Sequence, residues 1–193
     1  GTTGGDAWYV VDGVQDANGN FSYNLDFSEG YGRLVALHEI GHSIGLSHPH
    51  DGSSATGATF DDYDIQDDSN TTVMSYTNAP SLTFYDNGGS LGYKSIYAST
   101  PMVYDIAAIE HLYGDITDTN AGDTTHTITD HQYMQTIVDT GGVDTIDVSS
   151  VAHRSIIDLT PGSFNDVGYA TATEQDSYWS AQGIGGYSIS AQA

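Results

Sequence analysis

The thirteen residues from His38 to His50, HEIGHSIGLSHPH, hold four of the chain's eight histidines. Their spacing constrains the fold more than any other feature. The first eight of them close a longer stretch, YGRLVALHEIGHSIG from Tyr31 to Gly45, whose apolar positions recur at helical intervals. Leu34, Leu37 and Gly41 share one stripe and Ile44 continues it. A helix is expected over 31–45, ended by Gly45, which takes a positive φ without steric penalty. On that helix His38 and His42, four residues apart, project from one face about one turn apart. Both can reach a single ion at about 2.0–2.1 Å, the Zn–N distance. Gly45 lets the chain turn back, so His48 can approach the same ion. Three neutral nitrogens leave the fourth position of a tetrahedral Zn2+ open to water, the layout of a catalytic rather than a structural site.

Glu39 directly follows the first of these histidines. It is badly placed to ligate beside its neighbour and well placed to hydrogen-bond the water that the ion activates. The ion lowers that water's pKa towards about 7. Glu39 can then take the proton as the water attacks a carbonyl and pass it to the leaving amine. A peptide bond would be cleaved without a covalent intermediate. HExxH alone is moderate evidence for this chemistry. The extended pattern HExxHxxGxxH, begun on an expected helix and with Gly45 and His48 in register after it, is far more specific. The motif resembles that of the metzincin clan of zinc proteases, which implies a methionine-containing tight turn downstream; TVMSYT (Thr72–Thr77) supplies Met74 there.

Composition excludes several other functions. The chain has 193 residues, enough for one domain with a smaller appendage and a real core, and 38% of them are hydrophobic. Against 26 acidic residues stand only Arg33, Lys94 and Arg154, a formal net charge of −23. Such a surface repels phosphate backbones and anionic lipid, so neither nucleic acid nor a membrane is an expected partner. Bound divalent cations or a salty habitat would account for the acidity, and an ordinary solvated acidic face accounts for most of it. No cysteine is present, which excludes disulfides and thiolate metal sites. No apolar run approaches a membrane span, and no signal peptide is seen. The chain opens at Gly1 without an initiator Met, which reads as a processed or recombinant piece.

Along the chain, DAWYVVDG (Asp6–Gly13) reads as a strand, and polar, Gly-containing sequence runs on to Gly30. Residues 46–100 carry few periodic segments; DGSSATGATFDDYDIQDDSNTT and TFYDNGGSLGYKS look like loops. PMVYDIAAIEHLYGD (Pro101–Asp115) is a second helix, with Pro101 near its start, a stripe of Ile106, Ile109 and Leu112, and Gly114 at its end. Beyond Gly114 the runs THTIT, QTIVD, DTIDVSS, SIIDL and YSISA read as β structure without helical periodicity. A domain boundary is expected between Asp115 and Gly122, dividing the chain into 1–115 and 116–193. TGGVDTID (Thr140–Asp147) contains one Gly-Gly-x-Asp unit of the kind that repeats in calcium-binding parallel β-rolls; one unit does not make a roll.

HEIGHSIGLSHP, VMSY and PMVYDIAAIEHLYG together resemble the serralysin family of secreted bacterial metalloendopeptidases, within the metzincin clan. Pro49 after the third histidine and the Ser-Tyr after Met74 fit that resemblance. It implies an α+β fold: a partial metzincin catalytic domain with zinc helix, Met-turn and second helix, followed by a β-rich C-terminal region. It also implies zinc on His38, His42 and His48, with Glu39 as general base and Met74 as the floor of the site. Tyr76 would be a switchable tyrosine that can ligate zinc at rest and swing away to hydrogen-bond the tetrahedral intermediate. GDTTHTI, DTGGVDTIDVSS and SFNDVG resemble the segments leading into the family's calcium β-roll, which makes Asp139, Gly141 and Asp144 candidate ligands for a structural calcium ion.

The chain departs from the family at both ends. It begins one strand before the zinc helix and stops before roll repeats. Either the half that carries the substrate-pairing edge strand is a separate N-terminal fragment, with which the exposed sheet edge would associate, or the chain is a fragment with the metal site and half a cleft. His50 could support the ligands or simply lie in a loop, while His111, His126, His131 and His153 are expected in structural or surface roles. The leading expectation is a secreted, extracellular zinc endopeptidase acting on protein or peptide substrates. A calcium-dependent, non-catalytic surface or assembly module is the alternative.

Overall fold

The computed structural model describes residues 14–15, 21–22, 27–28, 30–52, 67–77, 82–86, 91–129, 133–152, 154–169, 172–181 and 183. In chain order the elements are strands β1 (Val14–Gln15) and β2 (Phe21–Ser22), helix α1 (Gly30–Ser43), strands β3 (Leu82–Asp86), β4 (Leu91–Ser95) and β5 (Tyr97–Ala98), and helix α2 (Val103–Tyr113). Strands β6 (Thr125–Thr127), β7 (Tyr133–Met134), β8 (Thr145–Asp147), β9 (Arg154–Ile156) and β10 (Asp166–Tyr169) follow, and helix α3 (Ala172–Ala181) is last. The fold is mixed helix and strand, and among the described residues the strands pair two by two in small sheets. The chain divides into two units, one of residues 1–79, 97–115 and 133–136, the other of 80–96, 116–132 and 137–193.

The first unit is organised around α1 and α2. Gly45 stands at φ +99°, and the helix end closes with Leu46 N–H donating to Gly41 O at 2.9 Å and Gly45 N–H to His42 O at 3.1 Å. These are the paired bonds of a Schellman motif, which satisfy carbonyls that a helix terminus leaves open. The core comprises Val73, Met74, Ala98 and Met102, all buried, with Leu34, Leu37, Leu46 and Met134 packed against it. Burying a side chain such as Met74 contributes roughly 1.5–3 kcal/mol. Gly41 is buried because the thioether of Met74 lies over it: a Cβ added there would sit 2.5 Å from the sulfur. α2 begins at the expected place for a local reason. Asp105, at its third position, reaches back to accept the Met102 N–H at 2.7 Å, while Tyr104 N–H donates to Thr71 O at 3.0 Å. At the other end Gly114 takes φ +97°, and Tyr113 Oη donates to Ile44 O at 2.7 Å, tying α2 to the close of α1. β5 runs parallel to β7. Arg33 spans from α1 to this strand region, its Nε donating to Ser99 O at 2.7 Å and its Nη1 to Ser28 O at 3.1 Å.

In the second unit β6 and β8 form a parallel ladder with Thr125 opposite Thr145, an offset of twenty residues. The turns before the two strands clasp each other reciprocally. Asp123 Oδ1 accepts the Val143 N–H at 2.9 Å, and Asp144 Oδ1 accepts the Thr124 N–H at 3.0 Å. The backbones approach so closely that a Cβ on Gly142 would lie 2.5 Å from the carbonyl of Gly122, and Gly142 itself stands at φ +118°. Among the described residues no helix is long and apolar enough to cross a membrane.

Several expectations are corrected. TFYDNGGSLGYKS is not a loop: β3 and β4 pair antiparallel along their full length, from Leu82 opposite Ser95 to Asp86 opposite Leu91. The Asn-Gly-Gly between them is a hairpin signal set in a loop-like composition. The polar sequence before Gly30 contains the short β1–β2 hairpin. QTIVD is not a strand; the strand precedes it at Tyr133–Met134. The C-terminal region also contains α3, which has good helix formers in Ala172, Glu174 and Ala181 but no apolar stripe to reveal it. The expected strand over Asp6–Gly13 and the YSISA run lie outside the described residues, as do His131 and His153.

Candidate metal centre

His38 and His42 lie one turn apart on α1, and His48 follows the Gly45 turn. The Nε2 atom of His48 is 3.1 Å from that of His38 and 3.0 Å from that of His42. Each Nδ1 faces an acceptor: Val73 O for His38 at 2.8 Å, Leu46 O for His42 at 3.0 Å, and Asp51 Oδ2 for His48 at 2.7 Å. A carbonyl or carboxylate at that distance requires Nδ1 to carry the proton. In the neutral ring this leaves a lone pair on Nε2. The close Nε2 approaches are therefore not hydrogen bonds, since two lone pairs without a proton between them repel. A cation shared by all three removes that repulsion. Zn–N bonds of about 2.0–2.1 Å in a tetrahedral site place nitrogens about 3.3–3.4 Å apart, within a few tenths of the separations seen. The residues fit the metal that the spacing predicts.

Burial holds the His38 imidazole below its ordinary pKa. His42 and His48 push the same way, against the opposing pull of the Val73 carbonyl and Glu39. A ring kept neutral keeps its lone pair for a metal. The His48–Asp51 hydrogen bond holds the Asp51 carboxyl below the usual carboxylate range.

The support under these rings comes from distant sequence. Val73 O, which receives the His38 proton, belongs to a tight turn over Asp68–Thr77. This turn is closed by Ser69 N–H to Thr77 O at 3.0 Å and Thr72 N–H to Asp68 O at 3.2 Å. The buried carboxylate of Asp105 anchors the turn, accepting from Thr72 Oγ1 at 2.5 Å and from Val73 N–H at 2.8 Å. Burial pushes the Asp105 carboxyl upward, and its three hydrogen bonds, from Thr72, Val73 and Met102, pull it down in part. Met74, the expected floor, is 2% exposed and packs against Gly41 in the turn of α1 between His38 and His42.

Glu39 is partly buried on α1 beside His38. Tyr76 is 67% exposed, its ring stacked 5.5 Å from that of His38 and tilted 4.5 Å from that of His48. His50 also joins this neighbourhood, its ring 5.1 Å from His48 and 5.0 Å from Tyr76. Its nitrogens face Asp51 at 3.9 Å and Asp67 at 4.0 Å. Among the described residues, groups of three or more possible ligands occur as His38–His42–His48 and as His48–His50–Asp51.

Asp139, Gly141 and Asp144 belong to the second unit. Asp139 accepts the Gly141 N–H at 3.1 Å and pairs with His126 at 3.0 Å, while Asp144 caps Thr124 in the reciprocal clasp. His126 thus has a partner in the β region, and His111 lies in the last turn of α2. Neither belongs to a second imidazole cluster among the described residues. Sequence reading did not single out Asp51 or Asp105. Asp51, a carboxylate three residues after His48, was detectable; Asp105, 67 residues from His38, had no local signal.

A family model described as Met-zincin matches residues 24–139. The chain is 36% identical over 154 residues to a serralysin of Proteus mirabilis, an alignment covering 72% of this chain and 30% of that protein. It is 35% identical over 179 residues to metallopeptidase AprA of Pseudomonas marginalis, covering 85% of this chain and 36% of the other. With metalloprotease AprA of Pseudomonas entomophila the identity is 35% over 188 residues, covering 87% and 36%. The chain spans about a third of the length of these relatives.

Proposed function

The chain belongs to the metzincin family, in its serralysin branch, and we propose that it carries the metal centre of a secreted zinc endopeptidase. On this reading residues 1–115 are the C-terminal part of the catalytic domain and 116–193 a β-rich extension. The observation that carries the reading is the convergence of three Nε2 lone pairs whose Nδ1 partners are all satisfied. His38, His42 and His48 would hold the zinc. When bound, zinc supplies Lewis acidity towards the scissile carbonyl and acidifies a water molecule. Glu39 accepts that water's proton as it attacks and delivers it to the departing amine nitrogen. Tyr76 donates its phenolic hydrogen to the carbonyl oxygen as that oxygen gains negative charge. Its ring is 67% exposed and, among the described residues, its ring contacts are with imidazoles, which leaves room for it to turn for that task. Substrates are proteins or peptides, cut at internal bonds.

A structural calcium ion on Asp139, Gly141 and Asp144 is part of the same proposal. Carboxylate and carbonyl oxygens suit a hard cation, and all three residues fall within the one turn that precedes β8 and clasps the turn before β6.

The test is metal analysis followed by digestion of a casein-like unfolded protein. One zinc per chain is expected, with turnover abolished by a chelator. Glu39→Ala should keep the zinc and lose about 10²–10⁴ in rate. Normal digestion by Glu39→Ala would overturn the mechanism.

A further inference from the structure

The three imidazoles are not held in the same way. His38 and His42 are fixed by their positions on α1, and their Nδ1 protons go to main-chain carbonyls. His48 lies beyond the helix end, after the Gly45 turn, where no helical backbone sets its direction. Its Nδ1 proton goes to a side chain, the carboxylate of Asp51, at 2.7 Å. The same two residues share a backbone turn, Asp51 N–H donating to His48 O at 3.2 Å. A carboxylate hydrogen-bonded to a ligand imidazole fixes its tautomer and ring orientation and makes the other nitrogen a stronger donor.

We propose that Asp51 is the positioning residue for the third ligand, holding the His48 ring so that Nε2 faces His38 and His42. Asp51 does for His48 what the helix does for the other two. It is the one Nδ1 acceptor in the centre that a side-chain substitution can remove. This inference rests on the zinc reading above.

The test compares the full chain with three variants, reading zinc affinity by chelator competition and the visible spectrum of the cobalt-substituted protein. Asp51→Ala should weaken zinc binding about 10- to 100-fold and change the cobalt spectrum. Asp51→Asn, which keeps an acceptor oxygen, should fall between it and the original chain. His50→Ala tests the competing assignment, that Asp51 serves His50, whose nitrogen is 3.9 Å away; it should stay within about twofold of the original. The Asp51 side chain is half exposed, so its loss leaves the metal-free fold intact, as far-UV circular dichroism would verify. A purely structural role would lower the melting temperature of the metal-free chain and leave the cobalt spectrum unchanged. Zinc affinity of Asp51→Ala within about twofold of the original, or an equal loss in His50→Ala, overturns the proposal. If the unaltered chain binds neither zinc nor cobalt, the metal centre itself is refuted and this inference falls with it.

Discussion

Asp105 and His38 are joined through a single residue. The Asp105 carboxylate accepts the Val73 N–H at 2.8 Å, and the Val73 carbonyl accepts the His38 Nδ1 proton at 2.8 Å. Replacing Asp105 with Ala would strand three donors, on Thr72, Val73 and Met102. At about 1–3 kcal/mol for each buried group left unsatisfied, a loss of at least about 3 kcal/mol is expected. Urea unfolding of the metal-free chain measures it, and zinc competition on the same sample should show weaker binding as Val73 shifts. An unchanged unfolding midpoint would count against the anchor.

Gly41→Ala should also destabilise the first unit. The new methyl would meet the Met74 sulfur at 2.5 Å, and Met74 is 2% exposed with little room to yield. Overpacking of this kind costs about 1–3 kcal/mol, and the displaced thioether presses on the turn that carries Val73. Thermal melting with and without zinc would register both effects. Gly41→Ser, slightly larger, should be worse.

Tyr76→Phe separates chemistry from metal retention. The ring and its stacking on His38 and His48 remain, so zinc content should not change. Loss of the hydroxyl should lower kcat by about 10²–10³, the range for removing one donor to a developing oxyanion, with KM little affected. Steady-state kinetics on a quenched fluorescent peptide decide this, and an equal rise in KM at constant kcat would assign Tyr76 to substrate binding instead.

Acid should weaken the second unit in a predictable window. The amide of Gly141 and then His126 hold the Asp139 carboxyl below the usual range; Ser149 does so for Asp147, and Thr160 for Asp158. A carboxyl with a lowered folded pKa contributes stability that is complete above its unfolded value, about 3.9. That contribution disappears as pH falls through the lower folded value. Melting curves between about pH 5 and about pH 2.5 should therefore fall more steeply for the original chain than for Asp139→Asn. Parallel curves would mean that the Asp139 interactions do not survive in solution.

Helix α1 was legible because its signals are local. His38 and His42 are four apart, and Gly45 reverses the chain just before His48. The helix over 103–113 was legible for the same reason, through Pro101, its apolar stripe and Gly114. What holds the site was not legible. The Val73 carbonyl under His38 is 35 residues distant, and the Asp105 carboxylate under Val73 a further 32. Such contacts arise only once α1 and α2 have packed. β3 and β4 were obscured by their Gly- and Asn-rich turn, and α3 by its lack of an apolar face. The β6–β8 ladder was read as strands, but its parallel pairing came from tertiary closeness that short Thr-rich runs do not encode.

Arg33 gives its guanidinium to two main-chain oxygens, those of Ser99 and Ser28. Among the described residues, the ion pairs within 4 Å all use histidine as the positive partner. A polypeptide of net charge −23 thus leaves much of its electroneutrality to the surrounding electrolyte, and self-repulsion between its acidic groups grows as the medium is diluted. Lowering the ionic strength should therefore lower the melting temperature of the chain.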